Sequence, residues 1–155
     1  MIKRLVTFAA LLIMGGGVYA STCETEYLSF YENSREVSSM GDVVGTWEGR
    51  FRGHADCNHM EFIHMRLFND PQSAKQLASD WFVVNDRGLV VDDGISVGSF
   101  QEGAEKILVL TDLDDSPTRY HTIRVLDDKT LLGTYVEENG QEEKRLGYYI
   151  LYKQK

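Results

Sequence analysis

Apolar and polar positions alternate along residues 43–52. Val43, Gly45, Trp47, Gly49 and Phe51 fall on one face; Val44, Thr46, Glu48, Arg50 and Arg52 fall on the other. This is the period-two pattern of a half-buried strand. Two glycines beside a tryptophan predict a strand that bends sharply around a bulky anchor, as barrel strands do. Residues 59–68 alternate less cleanly. Met60 and Phe62 share one face, and Ile63, Met65 and Leu67 the other. A β-bulge near Phe62 and Ile63 would turn both sets inward and leave His59, Glu61, His64 and Arg66 facing water. Asp70-Pro71 reads as an N-cap followed by proline in the first helical position, which predicts a short helix over residues 71–79.

From residue 80 onward, strand-like runs recur at 81–84, 89–91, 95–100, 106–111, 119–126, 131–137 and 145–152. Turn signals separate them, among them Asp93-Gly94 and Asn139-Gly140. The pattern predicts an all-β fold: a single antiparallel up-and-down barrel of about eight to ten strands, closed so that no edge is exposed. Tyr27, Phe30 and Tyr31 stand at helical spacing, predicting a short helix or plug over residues 24–33.

The first 20 residues do not belong to that domain. Lys3 and Arg4 precede an apolar run, three glycines break it, and Val18-Tyr19-Ala20 offers a small-residue exit. This reads as a signal peptide over residues 1–20, followed by one barrel domain over 21–155. An uncleaved anchor and a lipoprotein are the alternatives, the latter because Cys23 is close; Ala20-Ser21-Thr22 matches a lipidation signal poorly. The expected location is periplasmic or secreted, with no membrane anchor after cleavage. Losing Lys3 and Arg4 takes the net charge from −8 to −10, which argues against nucleic acid and anionic membranes as partners. In an oxidising compartment Cys23 and Cys57, the two cysteines of the chain, are expected to form a disulfide.

Gly45-Thr46-Trp47, on the first long strand after a short N-terminal segment, resembles the Gly-x-Trp signature of lipocalins and their calycin relatives. Leu108-Val109-Leu110-Thr111-Asp112-Leu113 is similar to the family's Thr-Asp-Tyr region, with leucine in place of tyrosine. The resemblance implies a basic residue of the last strand over the tryptophan, here Arg145 or Lys153. It also implies a small apolar or amphipathic ligand inside the barrel. The helix that follows the barrel in that family has no counterpart.

No catalytic motif stands above background, so binding is favoured over catalysis. Candidate ligand contacts are Trp47, Phe51, Phe62, Trp81, His121, Tyr135 and Tyr148. His121 shares a face with Ile123 and Val125 and could orient a ligand from within. Inward glycines at 45, 49, 98 and 133 predict a partly hollow interior. His54, Cys57, His59, Glu61 and His64 cluster in sequence but match no zinc spacing, so neither a metal nor a cofactor is expected. The acids at 112, 114, 115, 137, 138, 142 and 143 read as solvated turns. Two rivals stand beside the carrier. One is a protein-binding, inhibitor-like module using the loops; the other is a haem-binding or isomerase barrel, with His121 as the axial candidate. Oligomeric state and ligand identity are not legible.

Overall fold

The computed structural model describes residues 22–54, 58, 60–72, 77–101, 107–113 and 117–155. The leader, Cys57, His59, Asp114 and Asp115 lie outside the described residues. Helix α1 (Thr22–Glu32) comes first, and a short 3-10 turn (Met40–Asp42) leads into the sheet. Eight strands follow: β1 (Gly45–Gly53), β2 (Met60–Asn69), β3 (Leu77–Val84), β4 (Val90–Gln101), β5 (Ile107–Asp112), β6 (Thr118–Asp127), β7 (Thr130–Asn139) and β8 (Glu142–Lys153). Each pairs antiparallel with the next, and β8 closes on β1. The expected up-and-down barrel is thus present, with eight strands.

Alternation drives the core. Trp47, Ile63, Met65, Leu67, Leu108, Leu110, Ile123, Leu131 and Leu151 all point inward and are buried. The lead segment closes one end: Val37 and Val43 are buried against this cluster, and Met40 packs on it. Trp47 lies at that closed end. Its indole N–H donates to the Val43 carbonyl at 2.7 Å, and the Lys153 ammonium sits 5.3 Å from its ring centroid. Lys153 therefore fills the role the lipocalin resemblance left to Lys153 or Arg145.

Three expectations about the strands are corrected. Strand β2 carries no bulge against β1 or β3; its register is continuous from Met60 to Leu67 on one side and from Phe62 to Asn69 on the other. Ile63, Met65 and Leu67 keep the inward face, so Phe62 points out and is 46% exposed. Glu61, expected in water, is instead on the inward side near the open end. The helix expected over 71–79 is replaced at its C-terminal end by β3, which begins at Leu77. There Leu77, Ser79, Trp81 and Val83 alternate inward, and the Asp70 carboxylate caps a local turn at the Gln72 N–H, 2.8 Å away. Finally, Asp93-Gly94 is not a turn. The runs at 89–91 and 95–100 merge into β4, where Gly94 pairs with Trp81.

That pairing explains why Gly94 is needed. A Cβ at Gly94 would lie 2.8 Å from the Trp81 ring, so the glycine is the indole's seat. Gly49 serves a different approach: a Cβ there would meet the Ile150 carbonyl at 1.7 Å, which brings β8 tight against the bend of β1.

Candidate functional site

The interior holds a polar cluster near the open end. The Ser96 hydroxyl donates to the Asp112 carboxylate, as do the Trp81 indole N–H at 3.3 Å and the Tyr135 hydroxyl at 3.2 Å. His121 Nε2 lies 3.4 Å from Asp112 Oδ1, too misaligned to count as a hydrogen bond. Its Nδ1 is hydrogen-bonded to the Tyr149 hydroxyl at 3.0 Å. The imidazole stacks on Tyr135 with centroids 4.5 Å apart and meets the edges of Trp81 and Tyr149. Burial works to raise the Asp112 pKa, but the His121 ring and the Ser96 and Trp81 donors outweigh it and hold the carboxyl below its ordinary value. Burial first, then the Asp112 charge, pushes Tyr149 well above 10, so it stays a phenol and can donate to His121.

Little space accompanies this cluster. The cavity bounded by Phe51, Ile63, Trp81, His121, Tyr135 and Tyr149 measures about 30 Å³, roughly a single water's share of liquid volume. The expected partly hollow interior is corrected here. Glycine does not leave a void when a neighbour leans over it. A Cβ at Gly133 would lie 1.8 Å from the Tyr149 ring, and one at Gly98 would lie 2.4 Å from a Leu110 methyl. His121 Nε2 faces the Asp112 carboxylate, and the cavity of about 30 Å³ beside it is far smaller than a haem.

Of the candidate contacts, Trp47, Trp81, His121 and Tyr135 lie inside the barrel and Phe51 is partly buried at its mouth. Phe62 and Tyr148 do not join them. Tyr148 is buried on the outer face of β8, beneath α1, in a second cluster with Cys23, Tyr27 and Leu132. Asp112, read as a loop acid, is 8% exposed and interior. Sequence reasoning missed it and Tyr149. The available signal was the unbroken apolar run 146–152, which marks a strand covered on both faces.

The outer cluster borders an opening larger than the interior cavity. A groove of about 330 Å³ runs between α1 and the outer face of β1 and β8. Glu26 and Phe30 of α1 form one wall; Arg50 and Arg52 of β1 and Tyr148, Ile150 and Tyr152 of β8 form the rest. Register sets this: Arg50 pairs with Ile150 and Arg52 with Tyr148, so all four share the outward face. Arg145 clamps the helix over it. Its guanidinium bonds both oxygens of Glu24, at 3.0 and 2.8 Å, and lies 4.0 Å from the Tyr27 ring centroid. Arg52 reaches Glu26 at 3.3 Å. Burial, then the Glu26 charge, pushes the Tyr148 hydroxyl up to about 12.

The described members of the histidine-rich segment, His54, Glu61 and His64, do not converge. His54 contacts Glu24 at 3.8 Å, and His64 contacts Glu48 at 3.1 Å and stacks on Phe82. Glu61 faces the barrel mouth instead. Among the described residues, no three His, Cys, Asp or Glu side chains are placed to share a metal ion.

The fold and its outer groove define a closed eight-stranded antiparallel barrel with a helix docked on one side. No protein-family model matches the chain, and no curated protein matches it. Among solved structures, the crystal structure of Rv2717c from M. tuberculosis is similar, with a TM-score of 0.49 and 12% sequence identity over 74% of this chain and 94% of that one.

Proposed function

We propose that this protein is a lipocalin-like binder of a small amphipathic molecule, and that the ligand lies in the groove beneath α1 rather than inside the barrel. One observation carries this reading: the groove offers about 330 Å³ walled in part by Phe30, Ile150 and Tyr152, against about 30 Å³ in the interior, while a wider opening of about 420 Å³ on the outside of the barrel is walled mainly by threonines, Tyr120, Glu138 and Glu143. The groove falls within the size range of small-molecule sites, roughly 300–1,000 Å³, and the interior cavity far below it. Apolar burial against Phe30, Ile150 and Tyr152 would supply affinity, and the arginines and Tyr148 orientation. Neither reading needs a catalytic group.

Titration with N-phenyl-1-naphthylamine, a neutral apolar fluorophore, tests the site. About one probe per chain is expected, as one pocket allows. Ile150→Trp should abolish binding by filling the groove, with the thermal midpoint of the barrel retained. Phe51→Ala, which opens the interior mouth, should leave binding unchanged. Binding that survives Ile150→Trp and strengthens in Phe51→Ala would place the ligand inside the barrel and overturn the groove reading.

A further inference from the structure

Two donors line the groove, Tyr148 buried and Arg50 exposed. Tyr148 is 4% exposed, its hydroxyl meets no acceptor with hydrogen-bond geometry among the described residues although the Glu26 carboxylate lies beside it, and it lines the groove. Burying a hydroxyl without a partner carries a desolvation cost that an incoming acceptor would recover. The high pKa of Tyr148 keeps its proton in place for donation. Arg50 is the second. It lines the same groove and lies 5.9 Å from the Phe62 ring centroid, but forms no ion pair with a described acid. Arg52 differs, because Glu26 already occupies it.

We infer that the groove selects an amphipathic monocarboxylate, its carboxylate taken by Arg50 and the Tyr148 hydroxyl and its hydrocarbon laid along Phe30, Ile150 and Tyr152. This rests on the groove being the binding site proposed above. The charges around it narrow the class. Arg50 repels an ammonium head group, so amines are excluded. Glu26 lies beside the same donors, so a dianion such as a phosphate monoester would set its second charge against a carboxylate. Two arginines against one acid leave a single positive charge to be met. That pair stands out on a chain whose overall net charge is −8. A guanidinium and a phenol lining one groove can supply charge-assisted hydrogen bonds that a neutral head group cannot match.

Isothermal titration of the full chain with octanoate, octanamide and octyl phosphate tests the inference. Octanoate should bind once per chain, and octanamide at least about tenfold more weakly, the ratio expected for one charge-assisted hydrogen bond. Arg50→Gln should bring octanoate down to the level of octanamide. Tyr148→Phe should weaken octanoate severalfold without lowering the thermal midpoint, since the hydroxyl it removes bonds nothing in the free protein. Equal binding of octanoate and octanamide would overturn the carboxylate inference while the groove reading stands. Tighter binding of octyl phosphate than of octanoate would overturn the restriction to a single charge. Failure of all three ligands, together with failure of the neutral naphthylamine probe, would overturn the groove reading itself.

Discussion

Trp47 combines three interactions in one buried side chain: core packing at 0% exposure, the hydrogen bond to Val43 and the Lys153 ammonium over its ring. Trp47→Ala should destabilise the protein by about 3–5 kcal/mol, as core aromatic deletions do; chemical denaturation would show it as a lowered midpoint. Asp112 makes a different prediction, one about pH. Its folded pKa lies below the ordinary aspartate value of 3.8, so its contribution to stability is present above that value and is lost as pH falls through the folded pKa. Asp42 is also depressed, by the Ser38 hydroxyl first and then by Arg35 and backbone N–H groups, which outweigh burial. It will therefore add to the acid sensitivity of the wild type. The difference between wild type and Asp112→Asn isolates the interior carboxylate. Wild type should lose more stability than the variant on acidification below about pH 4; parallel curves would mean the cluster does not hold Asp112 ionised.

At the level of elements, strand partners decide what a glycine does. Gly133 pairs with Tyr149, and the tyrosine ring lies where a Cβ would go. Gly133→Ala should cost about 1–3 kcal/mol as an overpacking change, and much less in a Tyr149→Ala background, because the two positions share one space. A double-mutant cycle measures it; additive effects would contradict the account. This coupling also marks the limit of sequence reading. Trp47's strand, the Asn139-Gly140 hairpin and the closed barrel were legible because they rest on period two and local turn residues; Asp93-Gly94 was misread as a turn because its glycine seats Trp81 inside β4. Whether Gly98 or Gly133 leaves a void depends on the side chain across the ladder, and register does not show in the pattern. Tyr148 and Tyr149 could not be told apart for a related reason. The apolar run at 146–152 passes between the core and α1, so Tyr148 and Tyr149 are both buried although they lie on opposite faces. The groove was illegible because α1 reaches its clamp, Glu24 to Arg145, across 121 positions. The helix has a second expected tie. We propose that Cys23, buried beside Tyr148, is joined to Cys57. Non-reducing peptide mapping should find the pair, and loop-closure entropy makes it worth roughly 4 kcal/mol. Two free thiols in freshly exported protein would exclude it.

For the whole molecule, the proposed function makes the barrel a scaffold and the helix one wall of the site. A hollow carrier surrounds its ligand, so the interior side chains set its specificity. Among the described residues the interior is given over to packing and to one polar cluster, and an opening of ligand size lies outside, where α1 crosses β1 and β8. Detaching α1 should therefore remove binding while the barrel persists. Arg145→Ala, which cuts the clamp to Glu24, should weaken the naphthylamine probe more than it lowers the thermal midpoint. The most direct measurement is intermolecular nuclear Overhauser contact between bound octanoate and assigned side chains. The account predicts contacts from the alkyl chain to the Ile150 methyls and the Phe30 and Tyr152 rings, with none to Ile63 or Val83. Contacts to Ile63 and Val83, which line the interior cavity, would contradict it and return the ligand to the inside of the barrel.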